Sequence, residues 1–107
     1  MKAKKEEFIY VLKLSPELLD KDNWTPRQEK AVDDHFANLK VMHQEGTLIL
    51  AGRTQTMDEK TFGIVIFEAD SLERAENIMK NDPAVRGNVM TAELFPYKTA
   101  LKRESGK

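Results

Sequence analysis

Residues 25–53, TPRQEKAVDDHFANLKVMHQEGTLILAGR, read as one long amphipathic helix delivering into one apolar strand. Thr25 stands where an N-cap is wanted and Pro26 at the first helical position. Gln28 sits where a capping box places its return partner. Val32, Phe36, Leu39 and His43 then recur at helical spacing on one narrow face, with His35 and Met42 flanking it. Gly46 supplies the left-handed residue that ends such a helix. Leu48, Ile49, Leu50 and Ala51 follow as a short apolar strand, which Gly52 is expected to stop.

Upstream, residues 8–14 (FIYVLKL) are rich in β-branched and aromatic side chains and end at the turn signal Ser15-Pro16, so they read as a first strand. Residues 16–24 carry Asp20, Asp22 and Asn23 and read as a surface loop. Downstream, residues 53–60 form a polar connection, and residues 62–68 a third strand. Ser71 caps a second helix with Leu72, Ala75, Ile78 and Met79 as its buried stripe. That helix ends near Asn81-Asp82, because Pro83 disfavours helical geometry in the residue before it. Asp82-Pro83 can cap a short new turn through Val85, stopped by Gly87. A fourth strand runs over residues 89–97, and the basic tail 98–107 is expected to fray.

The order strand, helix, strand, strand, helix, strand makes two β-α-β halves. This is the split βαβ plan of a ferredoxin-like α+β fold, an antiparallel βαββαβ sheet with two helices on one face. With 107 residues the chain is one domain, its core spanning about residues 7–97. It contains no cysteine, which removes disulfides and thiolate chemistry and fits a reducing cytoplasm. A net charge of -1 argues against a general nucleic-acid binder. No apolar run is long enough for a membrane span, and the charged start Met1-Lys2-Ala3-Lys4-Lys5 lacks the apolar region of a signal peptide, so none is expected. A cytoplasmic protein is the expectation.

Strand residues alternate between the faces of a sheet. Phe8, Tyr10, Leu12 and Leu14 share one face, while Ile9 and Val11 take the other. In the third strand Phe62, Ile64 and Ile66 oppose Val65 and Phe67. Two helices cover only one face, and an exposed patch of that kind usually marks an interface. The expected cover is a second copy, two sheets packing face to face as a dimeric α+β barrel; a different protein on the same face is the rival.

His35, at the edge of an apolar stripe, can have one ring nitrogen held while the other faces a cleft, as a general base requires. Its bland alternative is a half-buried histidine bonded to a backbone carbonyl. His43, in the last helical turn, is explained by the helix dipole. Leu39 and Thr47 stand where a helical metal pair would need ligands, which leaves only a metal site assembled across distant segments; the expectation is no metal and no organic cofactor. Asp82 before a proline is ordinarily a cap; a catalytic part requires it to approach His35 and orient its ring. Arg53 at a strand end can bind an anionic substrate or simply be solvated. Trp24 and Tyr97 can wall a pocket or simply pack.

The ordered set of segments resembles the YCII-related (YciI-like) family of small dimeric α+β barrel proteins. It comprises a short first strand, His35-Phe36-Ala37-Asn38-Leu39, Glu45-Gly46-Thr47-Leu48-Ile49-Leu50-Ala51-Gly52, Phe62-Gly63, Ser71-Leu72-Glu73-Arg74-Ala75, Asp82-Pro83-Ala84-Val85 and Phe95-Pro96-Tyr97. The resemblance implies an active-site pair near the dimer interface, formed by His35 and Asp82, and connects the chain with isomerase or dehydrohalogenase-type chemistry on ring compounds. Ala51-Gly52-Arg53 departs from the usual A-G-P of that family, and the long loop before Thr25 is also particular to this chain. Three functions follow as expectations. One is a cofactor-independent enzyme moving a proton, or assisting an elimination, on a small organic substrate. Another is a ligand-binding or structural dimer in which Asp82 faces away from His35. The third, by fold analogy alone, is a cofactor-free or haem oxygenase.

Overall fold

The computed structural model describes residues 5–103. The charged start, residues 1–4, and the end of the tail, 104–107, lie outside the described residues. Strand β1 (Glu6–Leu14) is followed by two short 3-10 turns and helix α1 (Pro26–Glu45). Then come β2 (Leu48–Arg53), β3 (Gly63–Ala69), α2 (Leu72–Lys80), α3 (Pro83–Arg86) and β4 (Met90–Tyr97). The strands form one antiparallel sheet in the order β2-β3-β1-β4, so the two central strands are the two that begin the β-α-β halves' pairing. This is the ferredoxin-like α+β arrangement.

Capping signals act as their chemistry demands. The Thr25 backbone N–H donates to Gln28 Oε1 at 2.8 Å, and the Thr25 hydroxyl donates to the same oxygen. Such a cap is worth about 1 kcal/mol to the helix it starts. Gly46 ends α1 in the left-handed conformation with φ 83°. Ser71 accepts the Arg74 N–H at the start of α2, and Asp82 accepts the Ala84 N–H at the start of α3. Gly87 is required by close approach: a Cβ there would meet the Pro83 carbonyl oxygen at 3.0 Å and the Ala31 Cβ at 3.5 Å. Its missing side chain lets α3 lie against α1.

The core lies between the helices and one sheet face. Phe8, Tyr10 and Leu12 of β1 meet Val65, Phe67 and Ala69 of β3, with Leu39, Met42 and Ala75 above them. Tyr10 and Phe67 pack edge to face, their ring centroids 5.6 Å apart. On the opposite face lie Ile9, Val11, Ile64 and Ile66, together with the exposed Leu50 and Phe95, which pair with Ile66 and Ile9 across the strands.

Several sequence expectations need correction. Residues 16–24 are no plain loop, for both 3-10 turns lie there and Leu18 is buried. Gly52 does not stop β2, because its backbone still pairs with Ile64 and the strand runs on to Arg53. The inward arc of α1 is His35, Leu39 and Met42, rotated from the arc centred on Phe36 and His43, both of which are exposed. The rotation has a polar cause: His35 has a buried partner to reach, described below. Leu72, at the exposed start of α2, is half open to solvent rather than in the stripe. The tail is tied at its beginning. Both the hydroxyl and the backbone N–H of Thr99 donate to Glu7 Oε1 at 2.8 Å, holding that carboxyl below the usual range.

Candidate functional site

Three buried polar side chains from three elements converge beneath α1. His35 comes from the inward arc of the helix, Asp82 from the cap of α3, and Tyr10 from the centre of β1. His35 Nδ1 lies 2.7 and 2.8 Å from the two carboxylate oxygens of Asp82. The Tyr10 hydroxyl donates to Asp82 Oδ2 at 2.7 Å, and the Ala84 N–H donates to Oδ1 at 2.9 Å. Asp82 is fully buried and His35 only 7 % exposed.

A carboxylate is an acceptor when ionised, and every neighbour of Asp82 is a donor or can be one. Its position therefore assigns the proton of the neutral imidazole to Nδ1. Nε2 is left with a lone pair. Burial, followed by the charge and hydrogen bond of Asp82, pushes the Tyr10 phenol far above its ordinary value, so it stays a donor. One aspartate thus caps α3, faces His35 and anchors a core tyrosine. The geometry in which Asp82 turns away from His35 is not the one adopted.

His35 also lines a cleft of about 360 Å³ on the helix side of the sheet. Trp24 and Arg53 line the same cleft, with Phe36, Met57 and Phe62 among the apolar walls. Trp24 is held by its own Nε1–H, which donates to the Leu18 carbonyl at 2.7 Å. The fold thus brings His35, Trp24 and Arg53 to one concavity, with Asp82 directly behind His35. Tyr97 is elsewhere, on the outer end of β4 and away from the cleft. Among the described residues, no group of three or more His, Asp or Glu side chains is placed to hold a metal ion. No helix among them is long and apolar enough to cross a membrane.

Tyr10 was not singled out from sequence. A signal existed: a tyrosine between Phe8 and Leu12 on a core face has a hydroxyl that needs a buried partner. Nothing in sequence spacing identified that partner as residue 82.

The model of the YCII-related domain family matches residues 10–98. A comparison with curated proteins finds no match. Among solved structures, the chain is similar to the 5-chloro-2-hydroxyhydroquinone dehydrochlorinase of Burkholderia phenoliruptrix AC1100, in complex with 2,5-dihydroxybenzoquinone. The two share 17% identity and a TM-score of 0.57, over 86% of this chain and 93% of that one. At that identity the likeness is one of fold.

Proposed function

The chain belongs to the YCII-related domain family, and from that premise we propose that it is a small-molecule enzyme in which His35 transfers a proton and Asp82 holds His35 in register. The observation that carries this is the pairing of Nδ1 with a buried carboxylate on a histidine that also lines a cleft. Nε2 takes a proton from an acidic C–H or O–H of the bound substrate, and the resulting imidazolium is stabilised by the carboxylate behind it. Returning that proton to a different atom completes an isomerisation. Expelling a leaving group with the freed electron pair completes an elimination. The dehydrochlorinase of similar fold supports the second course, since loss of hydrogen chloride needs a base for the proton.

His35 and Asp82 are themselves buried, which strengthens the charge interactions of the pair. Removal of one positioned base typically costs 10²–10⁴-fold in rate, roughly the size of effect to look for. The test is a screen of enolisable and halogenated ring compounds, scored by deuterium uptake from solvent and by halide release. His35→Gln keeps a donor for Asp82 but has no basic nitrogen, and it should lose the activity that the wild type shows while remaining folded. Equal activity in the variant would return His35 to a structural part.

A further inference from the structure

We infer that the cleft selects small organic anions, with Arg53 binding the anionic group while the apolar body lies against Trp24 and Phe36. This deepens the proposed function and rests on the cleft being its substrate site. Arg53 and His35 are the two lining residues with basic side chains, and no aspartate or glutamate lines the cleft among the described residues. Nor does Arg53 form an ion pair with any carboxylate among them. An arginine facing a concave apolar site with no acid beside it is a ready receptor for a carboxylate or phenolate.

Placement on the sheet supports this. Arg53 pairs with Gly63, and Gly63 pairs with Leu12 on the other side. A Cβ built on Gly63 would meet the Gly52 carbonyl oxygen at 3.3 Å and lie 3.6 Å from the Arg53 Cβ and 3.9 Å from the Leu12 Cβ, so it would share the helix side with Arg53 and Leu12. Any larger residue at 63 would fill the floor between them. With glycine there, no side chain at position 63 separates Arg53 from the cleft that both residues line with His35. A volume of about 360 Å³ is at the small end of ligand sites, matching a molecule of about one ring. One end of such a molecule would meet Arg53 while an acidic hydrogen meets His35.

Trp24 is the sole tryptophan of the chain, so its emission reports on the cleft without a label. The experiment titrates benzoate and its neutral isostere benzamide into wild type, Arg53→Gln and Lys60→Gln, following Trp24 fluorescence and equilibrium dialysis. Lys60 is a nearby exposed lysine outside the lining. Wild type and Lys60→Gln should prefer benzoate roughly tenfold, the size expected for a half-solvated charge-assisted contact, and Arg53→Gln should bind both alike. Binding of neither probe to the wild type, equal binding of both, or a preference that survives Arg53→Gln each overturns the inference. The readout needs no turnover. A protein that selects benzoate yet transforms no compound would refute proton transfer by His35 and leave anion selection standing.

Discussion

Tyr10 and Asp82, 72 positions apart in sequence, are joined by a hydrogen bond of 2.7 Å inside the core. The tyrosine belongs to the central strand and the aspartate to a helix cap, so the bond ties the sheet to the layer above it. It also occupies one oxygen of the carboxylate that faces His35. Structure and candidate chemistry therefore share a single side chain.

Asp82→Asn should separate the two. The amide is nearly isosteric, but its NH₂ group cannot accept from the Tyr10 hydroxyl or the His35 Nδ1–H, which favours the wrong imidazole tautomer. We expect turnover to fall by roughly 10²–10⁴-fold. Asp82→Ala should in addition cost about 3–5 kcal/mol of stability, since three buried donors lose their acceptor. Steady-state kinetics and urea unfolding measure the two effects, and an active, fully stable Asp82→Ala would contradict both.

Tyr10→Phe removes one hydroxyl without a cavity. Asp82 keeps His35 and the Ala84 N–H as donors, so the expected stability loss is about 1 kcal/mol. Activity should drop less than in Asp82→Asn. Were the two variants equally inactive, Tyr10 would have to act on the substrate itself.

Alkaline pH should unfold the protein before Tyr10 ionises. Its folded-state pKa is raised, by burial first and then by Asp82. Below the ordinary tyrosine value of about 10, both folded and unfolded chains hold the proton and stability is fully present. Above it the unfolded chain releases the proton while folded Tyr10 retains it, so stability falls as pH rises. In a Tyr97→Phe background, phenolate absorbance should appear together with loss of circular dichroism. Phenolate appearing in a still folded protein would show that the hydroxyl is not so enclosed.

The sheet face opposite the helices should be covered by a second copy. Leu50 and Phe95 are each a little under half exposed there, so covering them would be worth about 1 kcal/mol for each side chain. We expect sedimentation as a dimer at micromolar concentration, and a shift to monomer for Leu50→Glu, which lies on that face and outside the cleft. A wild type that sediments as a stable single copy would remove the barrel.

Much of this architecture was legible in residue order. Thr25-Pro26 and Gly46 bounded α1 because capping is local chemistry, settled by a few neighbouring atoms. Alternation in FIYVLKL sorted the β1 side chains into two faces, since the pleat has a period of two, but which face the helices cover came from the docked fold. The arc of α1 was harder. Phe36 is more apolar than His35, yet the helix turns His35 inward, because a buried carboxylate supplies what that imidazole needs.

Sequence by itself determined the four strands, the two longer helices, their order and the second apolar sheet face, all of which follow from short-range backbone and side-chain periodicity. Residue chemistry also offered His35, Asp82, Arg53 and Trp24 one by one, and only the family resemblance joined His35 to Asp82. Only the tertiary structure decided that His35 and Asp82 touch, that Tyr10 completes the group, and that Trp24 and Arg53 share a cleft with His35. The reason is physical: a hydrogen bond across 47 or 72 positions depends on how sheet and helices dock, and that is set by the whole core at once.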